Sequence, residues 1–198
     1  LVNPLHSKCG EVNFQEDVGM ECLADNVSAL LSKIKKKYKE YGMKDQKPFV
    51  IVKPDAGTYG MGIMTVKDAS EVKDLNRKQR NKMSVVKEGM EVSEVIMQEG
   101  VHTYERVNEA SAEPVVYMID RYVVGGFYRL HSDKGADGVL NAPGMQFMPL
   151  AFDECCTTPD HSARPDAGPN RFYSYGVVAR LALLAASLEL ERTEPAAA

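Results

Sequence analysis

Hydrophobic positions in the middle of the chain form two short runs on either side of a polar, glycine-rich connection. The first run, 49–52, is apolar and β-branched, and the second, 63–66, has the same character. Both have the length and composition typical of β-strands. The connection between them contains a lysine, a proline and three glycines: Lys53, Pro54, Gly57, Gly60 and Gly62. The pattern predicts two strands joined by a glycine-rich loop, which together form a β-hairpin.

Residues 20–41 show the clearest helical pattern, because their apolar positions recur at steps of three and four. Gly42 is placed to end this helix. Cationic side chains are favoured near a helix C-terminus by the helix dipole. We therefore interpret the lysines in the second half of the helix as a solvated basic face: Lys33, Lys35, Lys36, Lys37 and Lys39.

Two further helices are expected. Residues 68–71 have the spacing of a capping box, which predicts a helix that starts at Val72 or slightly earlier. Residues 177–188 have the pattern of an amphipathic closing helix. Arg180 and Glu189, together with the length of this helix, argue against a membrane span.

Two more strand signals follow the first hairpin. Residues 94–98 predict a buried strand, and residues 115–131 predict a second hairpin with its turn at the two adjacent glycines, 125–126. Such a turn places four functional side chains on one face: Asp120, Tyr122, Arg129 and His131. Charged groups are costly to bury without a ligand or a mutual pairing. This face therefore meets solvent or lines a site, and we favour the site.

The order of residues in the glycine-rich loop distinguishes between kinds of nucleotide site. In a Walker-type loop or a dinucleotide fingerprint the glycines lead into a helix, whereas here they lead into a strand. Glycines allow close approach of the backbone, so N–H groups can converge on phosphate oxygens while Lys53 supplies positive charge. The loop is therefore expected to lie over a nucleotide. The alternative is a hairpin whose glycines serve only the turn.

Composition narrows the possible partners and the compartment. The chain has 198 residues, 44% of them hydrophobic, and a formal net charge of -4. Such a charge gives no electrostatic reason to expect nucleic acid or an anionic membrane as a partner. The four cysteines lack C-x-x-C spacing, which favours a reducing compartment. With no signal peptide and no apolar stretch of membrane-spanning length, we expect a cytoplasmic protein.

Two longer segments carry a resemblance to a known family. They read Ile-Val-Lys-Pro-Asp-Ala-Gly-Thr-Tyr-Gly-Met-Gly-Ile-Met at 51–64 and Leu-Asn-Ala-Pro-Gly-Met-Gln-Phe at 140–147. Over nearly its whole length the chain resembles the proteobacterial glutamate-cysteine ligase family, whose C-terminal half is ATP-grasp-like. The resemblance implies an α+β fold with antiparallel sheets and flanking helices. It also implies a longer protein, of which 1–47 is a helical lead-in and 48–198 the nucleotide-binding and catalytic region.

The implied activity is an ATP-dependent ligation. Such an enzyme joins the γ-carboxylate of glutamate to the amine of cysteine through an acyl phosphate, with ATP and Mg²⁺ as cofactors, in the first step of glutathione synthesis. Its partners are these small molecules, with neither nucleic acid nor membrane. Two alternatives stay open: another ATP-grasp carboxylate-amine ligase, or a non-catalytic ATP-binding module.

The resemblance also implies roles for individual residues. Lys53 neutralises the α/β-phosphates, and Arg129 neutralises the transferring phosphoryl group or the acyl phosphate. The phosphate cradle consists of Gly57, Thr58, Tyr59, Gly60, Met61 and Gly62. The strand end with Gln98, Glu99 and Val101 faces adenine, and the Glu99 carboxylate is placed to bind the ribose hydroxyls.

Two oxygen-bearing residues are the expected Mg²⁺ ligands, namely Asp120 and Asn141. Asn141 sits where a strand stops and a Pro-Gly turn begins, so it could also cap the turn or contact phosphate. The sequence departs here from the Glu-x-Asn pattern of many ATP-grasp ligases, because the position two before Asn141 is Val139. Other acidic residues therefore compete for the metal: Asp137, Glu99 and Glu105.

Overall fold

Two four-stranded antiparallel sheets and four helices make up the fold in the computed structural model, which describes residues 3–56, 60–84, 89, 91–164, 166–168 and 170–193. The strands are β1 His6–Cys9, β2 Val50–Pro54, β3 Met64–Val66, β4 Val95–Glu99, β5 Arg106–Val107, β6 Ala110–Ile119, β7 Tyr122–His131 and β8 Gln146–Pro149. The helices are α1 Met20–Glu40, α2 Ser70–Lys73, α3 Arg77–Ser84 and α4 Arg171–Thr193. The expected α+β class with antiparallel sheets is confirmed.

The first sheet has the strand order β1-β4-β2-β3 and packs against α1. The helix covers nearly the residues that its periodicity predicts, and its apolar stripe is buried in the main core, with Leu23, Val27 and Ile34 fully inaccessible. The sheet contributes alternate residues of β2 and β4 to the same core, because successive strand residues point to opposite faces. One face of the sheet is thus buried by the helix.

Lys37 corrects the interpretation of the α1 lysines as a solvated face. Its side chain is only 14% exposed, and its Nζ lies 2.7 Å from Oε2 of Glu99, whose side chain is 6% exposed. The same carboxylate oxygen accepts a hydrogen bond of 2.9 Å from the backbone N–H of Leu5. Lys37 therefore joins the helix to the end of β4, while Lys33, Lys35, Lys36 and Lys39 are exposed as expected.

The first predicted hairpin is confirmed. β2 and β3 are antiparallel, with Val50 opposite Val66 and Val52 opposite Met64. β2 also pairs with β4, so this hairpin extends a sheet and does not stand alone. The glycine-rich connection thus leaves one strand and enters its antiparallel neighbour.

The capping box after β3 forms as its sequence predicts. Glu71 Oε1 accepts a hydrogen bond of 3.0 Å from the backbone N–H of Asp68, and Asp68 Oδ1 accepts one of 2.9 Å from the backbone N–H of Ser70. The helix that it starts, α2, is short, and the more basic α3 follows after a break.

The second sheet has the order β5-β6-β7-β8, and its hairpin turns at a different place from the predicted one. The turn lies at Asp120 and Arg121, with Asp120 at a φ of 51°, and Gly125 and Gly126 lie inside β7. A bulge near Tyr117 accommodates this stretch of β7. Gly126 has a packing role instead, since a Cβ there would lie 2.5 Å from the Val115 carbonyl oxygen, whereas a Cβ on Gly125 would meet nothing within 4 Å.

The observed strand register changes which residues share a face of the second sheet. Arg129 lies opposite Glu113, and His131 lies opposite Ser111. Arg129 and His131 still share a face because they are two residues apart on one strand. Asp120, by contrast, lies at the far end of the hairpin, roughly 25 Å along the strand from Arg129 at about 3.3 Å per residue. The predicted grouping of Asp120 with these two residues is wrong.

The closing helix α4 is confirmed, but it is longer and more exposed than its amphipathic pattern suggests. Phe172 and Gly176 are its buried residues, whereas Leu181, Leu184 and Leu190 are each more than half exposed. Among the described helices it is the one long and apolar enough to cross a membrane. The length argument against a span is therefore wrong. This finding is weak evidence for a span, because soluble proteins contain similar helices.

The chain divides into two compact units, which do not follow the predicted boundary at residue 47. The first unit contains Leu1–Thr103 and Lys134–Ala142, and the second contains Tyr104–Asp133 and Pro143–Ala198. The helix α1 belongs to the same unit as the glycine hairpin. The division between lead-in and catalytic region stays a prediction about the longer protein.

The buried pair of Lys37 and Glu99 leads to a stability prediction. Lys37→Met leaves the Glu99 carboxylate buried without its cation, so we expect the free energy of unfolding to fall by roughly 3 to 5 kcal/mol. The exposed neighbour gives a matched control, since Lys36→Met should change the free energy by less than about 0.5 kcal/mol. Urea unfolding of both variants measures the difference, and a loss below about 1 kcal/mol for Lys37→Met would contradict a structural role for the pair.

Candidate functional site

The face of the first sheet opposite α1 carries Lys53. We call this the outer face, and it is defined by the half-buried residues Ile51, Lys53, Ile96 and Gln98. Lys53 lies opposite Ile96, and Ile51 lies opposite Gln98. The outer face thus combines two apolar side chains with an amide and one ammonium group. A flat heterocycle next to an anionic group matches such a surface.

The glycine loop begins and ends on braced residues. On one side, Asp55 forms an ion pair of 2.9 Å with Lys8. On the other side, Lys82 Nζ of α3 donates a hydrogen bond of 2.8 Å to the Ile63 carbonyl oxygen. Both described ends of the connection are therefore held by side-chain contacts.

Two glycines of the predicted cradle adopt backbone conformations that other residues rarely adopt. Gly60 has a φ of 69° and Gly62 a φ of 65°. A Cβ on Gly62 would lie 2.9 Å from Cγ of Pro54, so this position has no room for a side chain. Met61, between them, is 43% exposed. Gly57, Thr58 and Tyr59 lie outside the described residues, and their contacts with phosphate stay a prediction.

Asn141 lies beside the glycine loop although it is far away in sequence. A Cβ on Gly60 would lie 3.0 Å from the Asn141 side-chain nitrogen. The segment that contains Asn141 is held to the first unit by an ion pair of Lys67 with Asp137 and by a 2.7 Å hydrogen bond from Thr103 N–H to the Ala136 carbonyl. The structure thus brings together the predicted cradle and one predicted metal or phosphate ligand.

Asp137 was one of the acids that compete for the metal. The hydrogen bond from Lys67 lowers the pKa of Asp137, so its carboxylate is anionic and already paired. This contact gives Asp137 a role in anchoring the segment next to β3.

The end of β4 shows how the predicted adenine segment is arranged. Glu99 points to the buried face of the sheet, towards Lys37, and Gln98 lies on the outer face. Gly100 N–H donates a hydrogen bond of 2.9 Å to the Phe49 carbonyl, and Val101 is 74% exposed. Gln98 and Val101 are therefore accessible to a ligand. The Glu99 carboxylate already has two structural partners, and its contact with a ribose stays a prediction.

Arg129 lies on β7 between Glu113 of β6 and Phe147 of β8. One of its terminal nitrogens donates a hydrogen bond of 2.9 Å to Glu113, while its Nε is buried without a hydrogen-bond partner in the described part of the chain. The buried hydroxyl of Ser111, two residues from Glu113, is also unsatisfied there. Buried polar atoms normally have partners, so these two donors are exceptions within the described part of the chain.

His131, on the same face as Arg129, is 3% exposed and held by two backbone groups. Asp133 N–H donates a hydrogen bond of 3.3 Å to its Nδ1, and its Nε2 lies 3.0 Å from the Pro143 carbonyl oxygen. Since Nδ1 accepts, Nε2 carries the proton and donates to Pro143. The imidazole therefore connects the end of β7 to the segment that precedes β8.

Asp120 is exposed at the turn between β6 and β7. It belongs to the second unit and Asn141 to the first, so their joint role as Mg²⁺ ligands stays a prediction. Among the described residues no group of three or more His, Cys, Asp and Glu side chains could hold a metal ion alone. Mg²⁺ bound with a nucleotide needs only one or two protein oxygens in addition to phosphate oxygens. Within the first unit, Asn141 beside Gly60 carries one such oxygen.

The sequence pattern missed the partners of the predicted residues. Glu113 and Ser111 were missed because the hairpin turn was placed at the wrong residues. The contact of Lys82 with the loop was missed because it depends on how α3 packs. Only a correct register, signalled by an acid placed across the strand pair from Arg129, could have identified Glu113 in advance.

Comparisons with known proteins identify the family of this chain. The family described as glutamate-cysteine ligase matches residues 1–190. A search of curated proteins found no match. Among solved structures, a protein from Methylobacillus flagellatus KT with the provisional name gamma-glutamylcysteine synthetase is 65% identical, with a TM-score of 0.81. The match covers 97% of this chain and 45% of the other, so the chain spans less than half of that protein. Because the family match covers nearly all of it, the chain belongs to the glutamate-cysteine ligase family.

Proposed function

We propose that this chain is the ATP-binding part of a glutamate-cysteine ligase. The ligase joins the γ-carboxylate of glutamate to the amine of cysteine at the expense of ATP, and its product enters glutathione biosynthesis. The observation that carries the proposal is the glycine loop between β2 and β3, with Lys53 at its base, in a member of this family. We expect the enzyme to work on small molecules in the cytoplasm.

The first unit provides the nucleotide site in this proposal. Adenine lies on the apolar part of the outer face, near Gln98 and Val101. The triphosphate lies under the loop, where Gly60, Met61 and Gly62 present backbone N–H groups together with the predicted contacts of Gly57, Thr58 and Tyr59. Lys53 neutralises the α/β-phosphates, because phosphoryl transfer depends on positioning and on compensation of charge.

Arg129 provides the second cation. The γ-phosphoryl group passes to the glutamate carboxylate and gives an acyl phosphate, which the cysteine amine then attacks with release of phosphate. Both steps develop negative charge on phosphoryl oxygens, which a guanidinium stabilises by paired hydrogen bonds. The hydrogen bond from its terminal nitrogen to Glu113 orients the guanidinium, and its Nε has no hydrogen-bond partner among the described residues.

Mg²⁺ would be held between the nucleotide and a small number of protein oxygens, with Asn141 and Asp120 as the proposed ligands. When bound, it supplies Lewis-acid stabilisation of charge on the phosphates. The proximity of Asn141 to Gly60 supports its half of this assignment.

Replacing Lys53 tests the nucleotide site. In the ligase that contains this chain, Lys53→Ala should weaken ATP binding at least about tenfold and lower turnover by roughly a hundredfold, because the phosphates lose a cation. Lys44→Ala, at an exposed loop lysine, should leave both unchanged. Phosphate release over a panel of amino-acid pairs measures turnover and identifies the substrates. Intact turnover and affinity in Lys53→Ala would refute the role of Lys53, and release with a pair other than glutamate and cysteine would refute the proposed substrates.

A pair of glycine substitutions separates backbone strain from ligand binding. Gly60 and Gly42 both have a φ of 69°, but a Cβ on Gly42 meets nothing within 4 Å, whereas one on Gly60 crowds Asn141. Alanine at either position should cost a similar free energy of unfolding, about 1 kcal/mol. Only Gly60→Ala should weaken ATP binding, by several-fold, in titration calorimetry. Equal ATP affinities for the two variants would count against the loop as a phosphate cradle.

Arg129→Lys tests the catalytic role of the guanidinium while it retains the charge opposite Glu113. Lysine lacks the planar fork and the Nε donor, so kcat should fall by roughly a hundredfold with a smaller change in the KM for ATP. Arg121→Lys at the turn of the same hairpin is the matched control, because Arg121 contacts only the neighbouring Tyr122 among the described residues. An unchanged kcat in Arg129→Lys would show that this arginine does not act on the phosphoryl group.

A further inference from the structure

Two cysteines of the first unit bring their sulfur atoms within 3.7 Å of each other, although they are 13 residues apart in sequence. Cys9 ends β1 and is buried, and Cys22 lies in the first turns of α1 and is exposed. The spacing of the two cysteines in the sequence did not predict this contact, because it depends on how α1 packs against the sheet. Neither thiol has a role in the proposed ligation.

The two sulfur atoms have different surroundings. The Cys22 sulfur accepts hydrogen bonds from the Cys9 thiol and, at 3.4 Å, from the side-chain nitrogen of Asn26. Cys22 is exposed, so its sulfur is accessible to an external reagent. Burial raises the pKa of the Cys9 thiol, so Cys9 keeps its proton until a reaction partner is next to it. An accessible attacking thiol thus lies beside a protected second thiol.

The surface around Cys22 is acidic. Cys22 lines a shallow depression with Glu21, Asp25 and Asn26. From Cys9 through Asp25 the sequence contains five acids and no lysine or arginine, although one of the acids, Asp17, pairs with Arg80. A surface with this charge attracts cationic molecules and repels anionic ones.

We propose that Cys22 and Cys9 form a reactive dithiol that is oxidised by small cationic or uncharged disulfides. The inference is independent of the proposed ligase activity, because it depends only on the two sulfurs and on the charges around them.

The reaction proceeds in two exchanges. The Cys22 thiolate attacks one sulfur of the external disulfide, so that a mixed disulfide forms and one external thiolate leaves and takes up a proton. Cys9 then gives its proton to solvent and attacks the Cys22 sulfur, which breaks the mixed disulfide and releases the second external thiol. Two protein thiols are oxidised to one disulfide, and one external disulfide is reduced to two thiols.

The resulting bond joins the end of β1 to the start of α1. The sulfurs must approach from 3.7 Å to the roughly 2.05 Å of a disulfide, which a rotation of the exposed Cys22 side chain can provide. Closing this short loop restricts the unfolded chain, so the oxidised protein should unfold at a higher urea concentration than the reduced protein.

Mass spectrometry of the 198-residue chain with Cys155→Ser and Cys156→Ser tests the proposal, since these substitutions remove the other two thiols. Cystamine, a cationic disulfide, should lower the intact mass by two hydrogen atoms and give a linked peptide pair containing Cys9 and Cys22. In the same background, Cys9→Ala should stop at a mixed disulfide on Cys22, and Cys22→Ser should not react.

Anionic glutathione disulfide tests the charge preference. It should react several-fold more slowly than cystamine at low ionic strength, with a smaller difference at high salt, where the acidic surface is screened. Equal rates at low salt would overturn the proposed class of reagent. The proposed dithiol would be overturned if the protein with Cys155→Ser and Cys156→Ser stays unreacted with cystamine, or if it accumulates the mixed disulfide without the linked peptide. These two outcomes do not depend on whether the Cys9→Ala variant folds.

Discussion

The burial of one side of the first sheet under α1 is the interaction on which the candidate site depends. The apolar stripe of the helix covers alternate residues of β2 and β4, so the residues between them, including Lys53, must lie on the opposite face. A shift of either strand by one residue would move Lys53 into the core. The buried pair of Lys37 and Glu99 supports this arrangement, because a misplaced helix would leave two charges without partners.

Separate contacts hold the two described ends of the glycine loop on the first sheet. The ends of the loop are tied through Lys8 and Lys82, while the segment that carries Asn141 is tied by Asp137 to Lys67. These contacts come from four different parts of the chain. The loop therefore combines glycine backbone conformations, which allow close approach to a ligand, with ends that are held in position.

In the second unit, too, the burial of one face of the sheet determines which side chains lie on the other face. Its sheet buries Tyr128 and Leu130 in its own small core and places Arg129 and His131 on the other face. Cross-strand pairing then determines the contacts of each of these two side chains. Glu113 orients the guanidinium, backbone groups fix the imidazole, and the Nε of Arg129 is left as a buried donor. A buried donor without a partner is costly, and this cost is the physical reason for proposing a ligand-binding role for Arg129.

By itself the sequence determined the first hairpin, α1, the strand before Gly100 and the placement of Lys53 at the base of a glycine loop, because local periodicity and the special conformations of glycine encode these features. It also determined the family, through residues 51–64 and 140–147. Tertiary structure alone decided the turn at Asp120, where a bulge overrode the local preference of Gly125 and Gly126. It likewise decided the pairing of Lys37 with Glu99, the approach of Asn141 to Gly60 and the contact of Cys9 with Cys22, because each joins residues that no local pattern relates.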